Sequence, residues 1–338
     1  MEFSYDVSLQ TLNTFGLTCR ARWFAAPTTL EQLQGLLKSA IFKQASRFLI
    51  LGGGSNVLLT GDINGLVLLN RLKGIQVIRE TGSDVWVSFA SGEIWHECVL
   101  YALKNNWGGI ENLALIPGTI GAAPIQNIGA YGVELAEVLA EVEVLDLEDG
   151  SRRVIKNEEC AFGYRDSIFK QQARGRYFIL SVTLCLKKQP ILNVSYGQLR
   201  DELDKKFRAP YTIQMVAEVV MDIRRSKLPD PAQVGNAGSF FKNPVVDEGL
   251  FSQWQKEFPG MPYYQNGNQY KVPAAWLIEQ CGWKGYRDGD YGVHPKQALC
   301  LVNYKQSSGK DIYQLSEQII DSVRKRFNIC LEREVNVW

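Results

Sequence analysis

Apolar residues recur along this chain at two different periods, and the switches between them outline its elements. Leu30, Leu33, Leu36 and Leu37 fall at helical spacing within residues 28–40, behind a Thr/Glu capping pattern. The same spacing predicts helices over 93–105, 212–225, 273–281 and 309–327, the last carrying Ile312, Leu315, Ile319 and Val323 on one face. Short apolar runs predict strands over 48–51, 57–59 and 66–69, and alternation predicts another over 85–90. Residues 138–147 and 179–186 read as further strands of a mixed sheet, 298–303 as a strand, and 334–338 as a short one closing the chain. Residues 189–210 are more polar and follow neither period.

At 338 residues the length suggests about two domains, with three within range. The two prolines of Lys-Leu-Pro-Asp-Pro make 226–234 the strongest boundary signal. Composition narrows the function classes. Hydrophobic residues at 46% and charged ones at 22% are ordinary for a soluble globular protein, and 37 Lys+Arg against 36 Asp+Glu leave no field to attract nucleic acid or a membrane surface. Any anionic ligand therefore needs local basic groups. Seven cysteines without a C-x-x-C pair, and only His96 and His294, lack the clusters that zinc or iron–sulfur sites require, so no metal is expected. The odd cysteine count and the polar, acidic start argue against secretion and for a cytoplasmic protein. No apolar run approaches a membrane span.

Two glycine-rich stretches suit a phosphate. Gly52-Gly53-Gly54-Ser55-Asn56 follows a strand, where successive backbone N–H groups can curl around an anion. It lacks the third glycine of the Rossmann fingerprint, where Val57 stands, and no Gly-Lys-Ser/Thr follows to make a Walker loop. Residues 116–132 hold Pro117, Gly118, Thr119, Gly121, Ala122, Gln126, Asn127, Ile128, Gly129, Ala130, Tyr131 and Gly132, with only Tyr131 large and aromatic. Each stretch alone is equally readable as an irregular loop; together they favour a dinucleotide held without a Rossmann fold.

A third segment, Gly235-Asn-Ala-Gly-Ser-Phe-Phe-Lys-Asn-Pro244, displays Ser239 between flexible glycines and two aromatics that can wall off water. A turn in which Ser239 caps a helix or bonds its own backbone is the plain alternative.

These two glycine loops resemble the FAD-binding domain of the vanillyl-alcohol-oxidase-like flavoproteins. With Asn13-Thr14-Phe15-Gly16, Gly163-Tyr164-Arg165-Asp166-Ser167, the Ser239 segment and Leu331-Glu332-Arg333-Glu334-Val335, the chain from about residue 10 onward resembles the UDP-N-acetylenolpyruvoylglucosamine reductase family, in the longer class with a tyrosine loop. One departure stands at Arg333, a position often held by proline.

The resemblance implies an α+β fold: an FAD-binding domain of two α/β lobes (1–70 and 71–225, core about 17–188) and an α+β substrate-binding domain over 226–338. It implies noncovalent FAD held by residues 52–56, the 117–131 positions named above and Ile179. It further implies NADPH as reductant, a UDP-sugar enolpyruvyl substrate of peptidoglycan precursor synthesis, a cytoplasmic location and a monomer. Hydride from flavin N5 to the terminal enolpyruvyl carbon would leave an enolate. Such an intermediate needs cationic or hydrogen-bonding stabilisation and one proton. Arg165 would grip the carboxylate, where a surface ion pair, with Asp166 and Lys170 beside it, is the plain alternative. Glu334 would share a proton with the enolate oxygen, the alternative being a strand residue pairing with Arg333. Ser239 would donate the proton. Tyr196, Lys227 and Asn243 would contact substrate, with Arg224 and Arg225 adding charge where a solvated helix end would also place it. Competing readings are an FAD-dependent oxidase on the same scaffold and a non-catalytic nucleotide-binding protein.

Overall fold

Five strands in the spatial order Arg152–Lys156, Leu139–Asp146, Tyr177–Lys187, Asp84–Ala90 and Ile75–Glu80 build the main sheet of the computed structural model, which describes residues 2–338. Met1, placed by the sequence in the first lobe, lies outside the described residues. Every pairing in this sheet is antiparallel, which corrects the mixed sheet expected above. The reason is local: 75–80 turns back into 84–90 and 139–146 into 152–156 through tight connections, which suit antiparallel neighbours. The central strands are buried, Val87, Val142, Val144, Val182 and Leu184 completely. The helices Trp95–Lys104 and Ile213–Lys227 lay Cys98, Val99, Ala102, Val216, Ala217 and Val220 into the same core. The edge strand Ile75–Glu80 is exposed at every residue, so it carries no burial pattern to betray it.

A smaller sheet orders Ser4–Ser8, Arg20–Ala25, Ile63–Leu69 and Phe48–Leu51, the last two parallel. The helix Leu30–Leu37 lies in the chain between Arg20–Ala25 and Phe48–Leu51, and its first turn is capped by Thr29 Oγ1, which accepts from Gln32 N at 3.2 Å. These sheets belong mainly to one compact unit, formed by the chain up to Val7 with 21–53 and 64–226.

Residues 8–20, 54–63 and 227–338 form a second unit. Its sheet orders Gly235–Asn236, Leu301–Asn303, Tyr291–Val293 and Arg287–Asp288, all antiparallel. The helix Gly309–Phe327 starts in a reciprocal cap between Ser308 and Asp311 and ends at Asn328 in the left-handed region. Its predicted face is buried: Ile312, Leu315, Ile319 and Val323 join Phe15, Phe240, Phe241 and Leu277 in one core. Burial of each such aromatic contributes about 2 kcal/mol. The chain's last strand, Asn336–Val337, pairs parallel with Val57–Leu58. Among the described residues no helix is long and apolar enough to cross a membrane.

Candidate active site

The two glycine stretches, 65 positions apart, meet backbone to backbone in the first unit. A Cβ built on Gly52 would lie 2.4 Å from Thr119 Oγ1, and one on Gly53 would lie 2.8 Å from Gly118 Cα. Only glycine permits that approach. Among the described residues, the amides of Gly52, Gly53, Gly118 and Thr119 donate to no protein acceptor. Two adjacent loops thus present four N–H groups suited to an anion. Gly54 begins the second unit: its φ is +63°, and its backbone lies against Leu12 and accepts from Thr14 N at 3.0 Å. Asn56 serves the tail, since Asn336 N donates to its carbonyl at 3.2 Å and its Nδ2 donates to the Glu334 carbonyl at 3.3 Å.

From Thr119 the chain runs into the 3-10 helix Ile120–Gln126, where Gly121 is pressed against Ser91 and Ala122 is exposed. Asn127, with φ of +44°, is buried and ties three loops. Its Nδ2 donates to Glu134 Oε2 at 2.8 Å and to Gly163 O at 3.2 Å, and its Oδ1 accepts from Ala136 N at 3.0 Å. Gly129–Ala130 and Val133–Glu134 then form a hairpin whose turn, Tyr131-Gly132, has both residues at positive φ. Ile179 is buried in the central strand beside this layer. Arg165 reaches the hairpin: its Nη2 donates to Gly129 O at 2.6 Å. Its own φ is +54°, held by the tight turn in which Gly163 and Asp166 exchange backbone hydrogen bonds. Asp166 accepts from Gln171 Nε2 at both oxygens, and Lys170 Nζ donates to the Arg165 carbonyl.

In the second unit Ser239 and Glu334 are brought together. Phe241 and Arg333 bridge antiparallel, Glu334 N donates to Phe240 O at 2.9 Å and Lys242 N to Glu332 O at 2.9 Å. Ser239 is half-buried, and among the described residues its Oγ has no hydrogen-bond partner and it caps no helix, so the turn-capping alternative does not hold. Gly238 supplies a φ of +69°, stabilised by Asn236 Oδ1, which accepts its N–H at 2.9 Å. Gly235 has another reason than ligand access: a Cβ there would strike the Phe15 carbonyl at 2.2 Å. Phe240 and Phe241 are core residues. Arg333 does not pair with Glu334; its Nε donates to Ser316 Oγ at 2.9 Å, its Nη2 meets Glu317 Oε1, and its guanidinium lies 4.6 Å from the Tyr313 ring centre. That pairing holds the Glu317 carboxyl below its ordinary range, with Tyr313 contributing.

The substrate candidates are dispersed. Tyr196 packs edge-to-face on Tyr131, centroids 6.4 Å apart. Lys227 is exposed at the end of its helix. Asn243 Oδ1 accepts from Ala274 N at 2.9 Å and so caps the helix Ala274–Gln280. Arg225 faces Asp222 at 3.8 Å, while Arg224 Nε donates to Leu115 O at 3.2 Å.

Residues 230–338 match the model of the UDP-N-acetylenolpyruvoylglucosamine reductase C-terminal domain, and 21–156 match an FAD-binding domain. The reductases of that name from Amoebophilus asiaticus and Flavobacterium johnsoniae are 44% and 45% identical to this chain, each over all of it and over 99% and 100% of their own lengths. The chain belongs to the UDP-N-acetylenolpyruvoylglucosamine reductase family. The crystal structure of the Thermus caldophilus family member shares the fold, with a TM-score of 0.66 at 24% identity over 100% of this chain and 98% of that one. The 4-ethylphenol oxidase of Gulosibacter chungangensis shares it more distantly, with a TM-score of 0.52 at 12% identity over 90% of this chain and 80% of that one. Membership in the reductase family makes the chain an FAD-dependent oxidoreductase. The amides of Gly52, Gly53, Gly118 and Thr119, which donate to no protein acceptor among the described residues, are donors of the kind a diphosphate requires.

Several site residues escaped the sequence. His96 Nδ1 accepts from Leu115 N at 3.0 Å, and with Arg224 on the carbonyl it clamps a residue of φ +59° at the entrance to the 116–132 stretch. Burial pushes the His96 imidazole below its ordinary value; Glu97 opposes this, and Arg225 and Arg224 add to it. Asn112 and Asn193 likewise hold loop carbonyls. Polar residues beside loops give no periodic signal, and the left-handed Leu115 has no glycine to announce it.

Proposed function

We propose that this protein reduces the enolpyruvyl ether of UDP-N-acetylglucosamine enolpyruvate to the lactyl ether of UDP-N-acetylmuramate, with NADPH as electron source, in peptidoglycan precursor synthesis. Bound FAD supplies the hydride to the terminal enolpyruvyl carbon. The observation that carries the reading is the backbone pairing of 240–242 with 332–334, which sets the acid candidate Ser239 one residue from the partner of Glu334.

Arg165 binds the substrate carboxylate and stabilises the charge that develops as the enolate forms. Its guanidinium is oriented by the Gly129 carbonyl, so the fork is held before substrate arrives. Glu334 holds a proton at the enolate oxygen. Ser239 Oγ delivers one proton to the carbon next to the carboxylate; a hydroxyl is a weak acid, and this transfer works only toward so basic a carbon. Tyr196 and Lys227 bind the nucleotide diphosphate end. Asn243 is proposed as a contact near it through Nδ2, since Oδ1 is engaged by Ala274 N.

Anaerobic addition of the enolpyruvyl sugar nucleotide to NADPH-reduced protein tests this directly. Return of the oxidised flavin spectrum in one turnover is expected. Persistence of the reduced spectrum until air is admitted would favour an oxidase on the same scaffold.

A further inference from the structure

The two glycine stretches are joined a second time, through one buried hydrogen bond between two side chains. Asn70 Nδ2 and Ser91 Oγ lie 2.7 Å apart, across 21 positions of sequence. Asn70 is tied to the first stretch: its N–H donates at 2.8 Å to the carbonyl of Leu51, the residue before Gly52. Ser91 is tied to the second, since its carbonyl accepts from Gly121 N at 2.9 Å and a Cβ on Gly121 would lie 2.5 Å from Ser91 Cβ. The residues after Ser91 continue that pairing, with Ile120 N donating to Glu93 O at 2.8 Å and Trp95 N to Gly118 O at 3.0 Å.

The surroundings set the polarity of that bond. Asn70 Oδ1 accepts from Leu72 N at 3.2 Å, which turns the amide nitrogen toward Ser91 and makes the hydroxyl oxygen the acceptor. Ser91 N donates at 2.9 Å to Leu180 O, in the central strand of the main sheet. Ser91 therefore anchors both stretches to the sheet. It has no exposed surface, and Asn70 is buried as well, so Ser91 touches no ligand and acts only through the backbone it holds. Losing either partner would leave the other unpaired in a site without water, a cost larger than the net worth of the bond.

We infer that Asn70 and Ser91 are positioning residues for the cofactor: they fix the separation between the strand end at Leu51 and the 118–121 backbone, and with it the spacing of the Gly52, Gly53, Gly118 and Thr119 amides. The inference rests on the reading of those four amides as donors to the FAD diphosphate. Donors already held at one spacing lose less freedom when an anion settles on them, so the bond contributes to FAD affinity without touching FAD.

The test is fluorescence titration of the stripped protein with FAD, for the parent, Ser91→Ala, Asn70→Ala, the double variant and Gly53→Ala, at a temperature where circular dichroism shows each to be folded. In Ser91→Ala the dissociation constant is expected to rise about fivefold or more, as for one lost hydrogen bond. The double variant should bind FAD no worse than Asn70→Ala, because the same bond cannot be lost twice. Ser91→Ala, the milder change, decides alone if Asn70→Ala does not fold. A bond that only stabilised the fold would lower the melting temperature of the stripped protein and leave the dissociation constant unchanged. That result, or losses that add in the double variant, overturns the inference. Gly53→Ala separates the two ways of failing. If it weakens FAD binding while Ser91→Ala does not, only the role of Asn70 and Ser91 falls; if neither weakens it, the diphosphate reading of the four amides falls as well.

Discussion

Glu334 donates its backbone N–H to the carbonyl oxygen of Phe240 at 2.9 Å. That one bond fixes a residue near the end of the chain to the neighbour of Ser239, although 94 positions of sequence separate the two. The tail is also held at the two residues before this point. Lys242 meets Glu332, and Arg333 is gripped by Ser316 and Glu317 on the helix Gly309–Phe327.

Arg333→Ala is expected to loosen the tail. The lost Ser316 hydrogen bond and the half-exposed Glu317 pair, discounted for solvent, are together worth about 1 kcal/mol. A drop in melting temperature with a fall in kcat, and with NADPH-driven flavin reduction retained, is the expected combination. Unchanged kcat would mean that Arg333 does not position Glu334.

Gly53→Ala is expected to cost more FAD affinity than Gly52→Ala. At Gly53 the new methyl meets the Gly118 backbone, whereas at Gly52 its nearest neighbour is the Thr119 hydroxyl, which can rotate. Fluorescence titration of stripped protein with FAD gives the ranking, and the reverse order would refute this packing argument.

Arg165→Lys keeps the charge and loses the fork. Reoxidation of the reduced flavin by the enolpyruvyl nucleotide is expected to slow by about 100-fold or more, since an ammonium cannot grip a carboxylate with two parallel bonds. Stopped-flow absorbance measures it; a change under about threefold would remove Arg165 from the proposed mechanism.

Stability should fall as pH drops below 6.5, the ordinary histidine value, because the folded chain keeps His96 neutral where the unfolded chain takes up a proton. The sign follows from the lowered value: above 6.5 both states are neutral and the contribution is flat. Below the folded value both are charged and the slope ends. Protonation at Nδ1 also removes the acceptor that holds Leu115 N. His96→Gln, which retains an acceptor without titrating, is expected to flatten this slope in chemical denaturation curves, and an identical slope would exclude His96 as its source.

Much of this was legible in the residues because burial writes itself as a period. The helix Gly309–Phe327 and the strand Tyr177–Lys187 each carry a face or faces hidden from water, and their apolar positions mark them. The strand Ile75–Glu80 has no hidden face, and the helix Leu199–Lys206 hides only Leu199 and Leu203, so neither could be seen. At the site, glycine content exposed the Gly52 and Gly118 loops. The purpose of Gly235, to admit the Phe15 carbonyl, depends on a segment more than 200 positions away and has no local signature. His96, Asn112 and Asn193 act on backbone groups of other loops, which only the folded chain brings within reach.

The most direct measurement of the proposed chemistry is the single-turnover behaviour of Ser239→Ala. NADPH should reduce its flavin at a rate within about twofold of the parent. Reoxidation by the enolpyruvyl nucleotide should be slower by roughly 100- to 10,000-fold, because only that half-reaction needs the proton. Reoxidation at the parent rate, in a variant that retains its FAD, would show that Ser239 is not the acid.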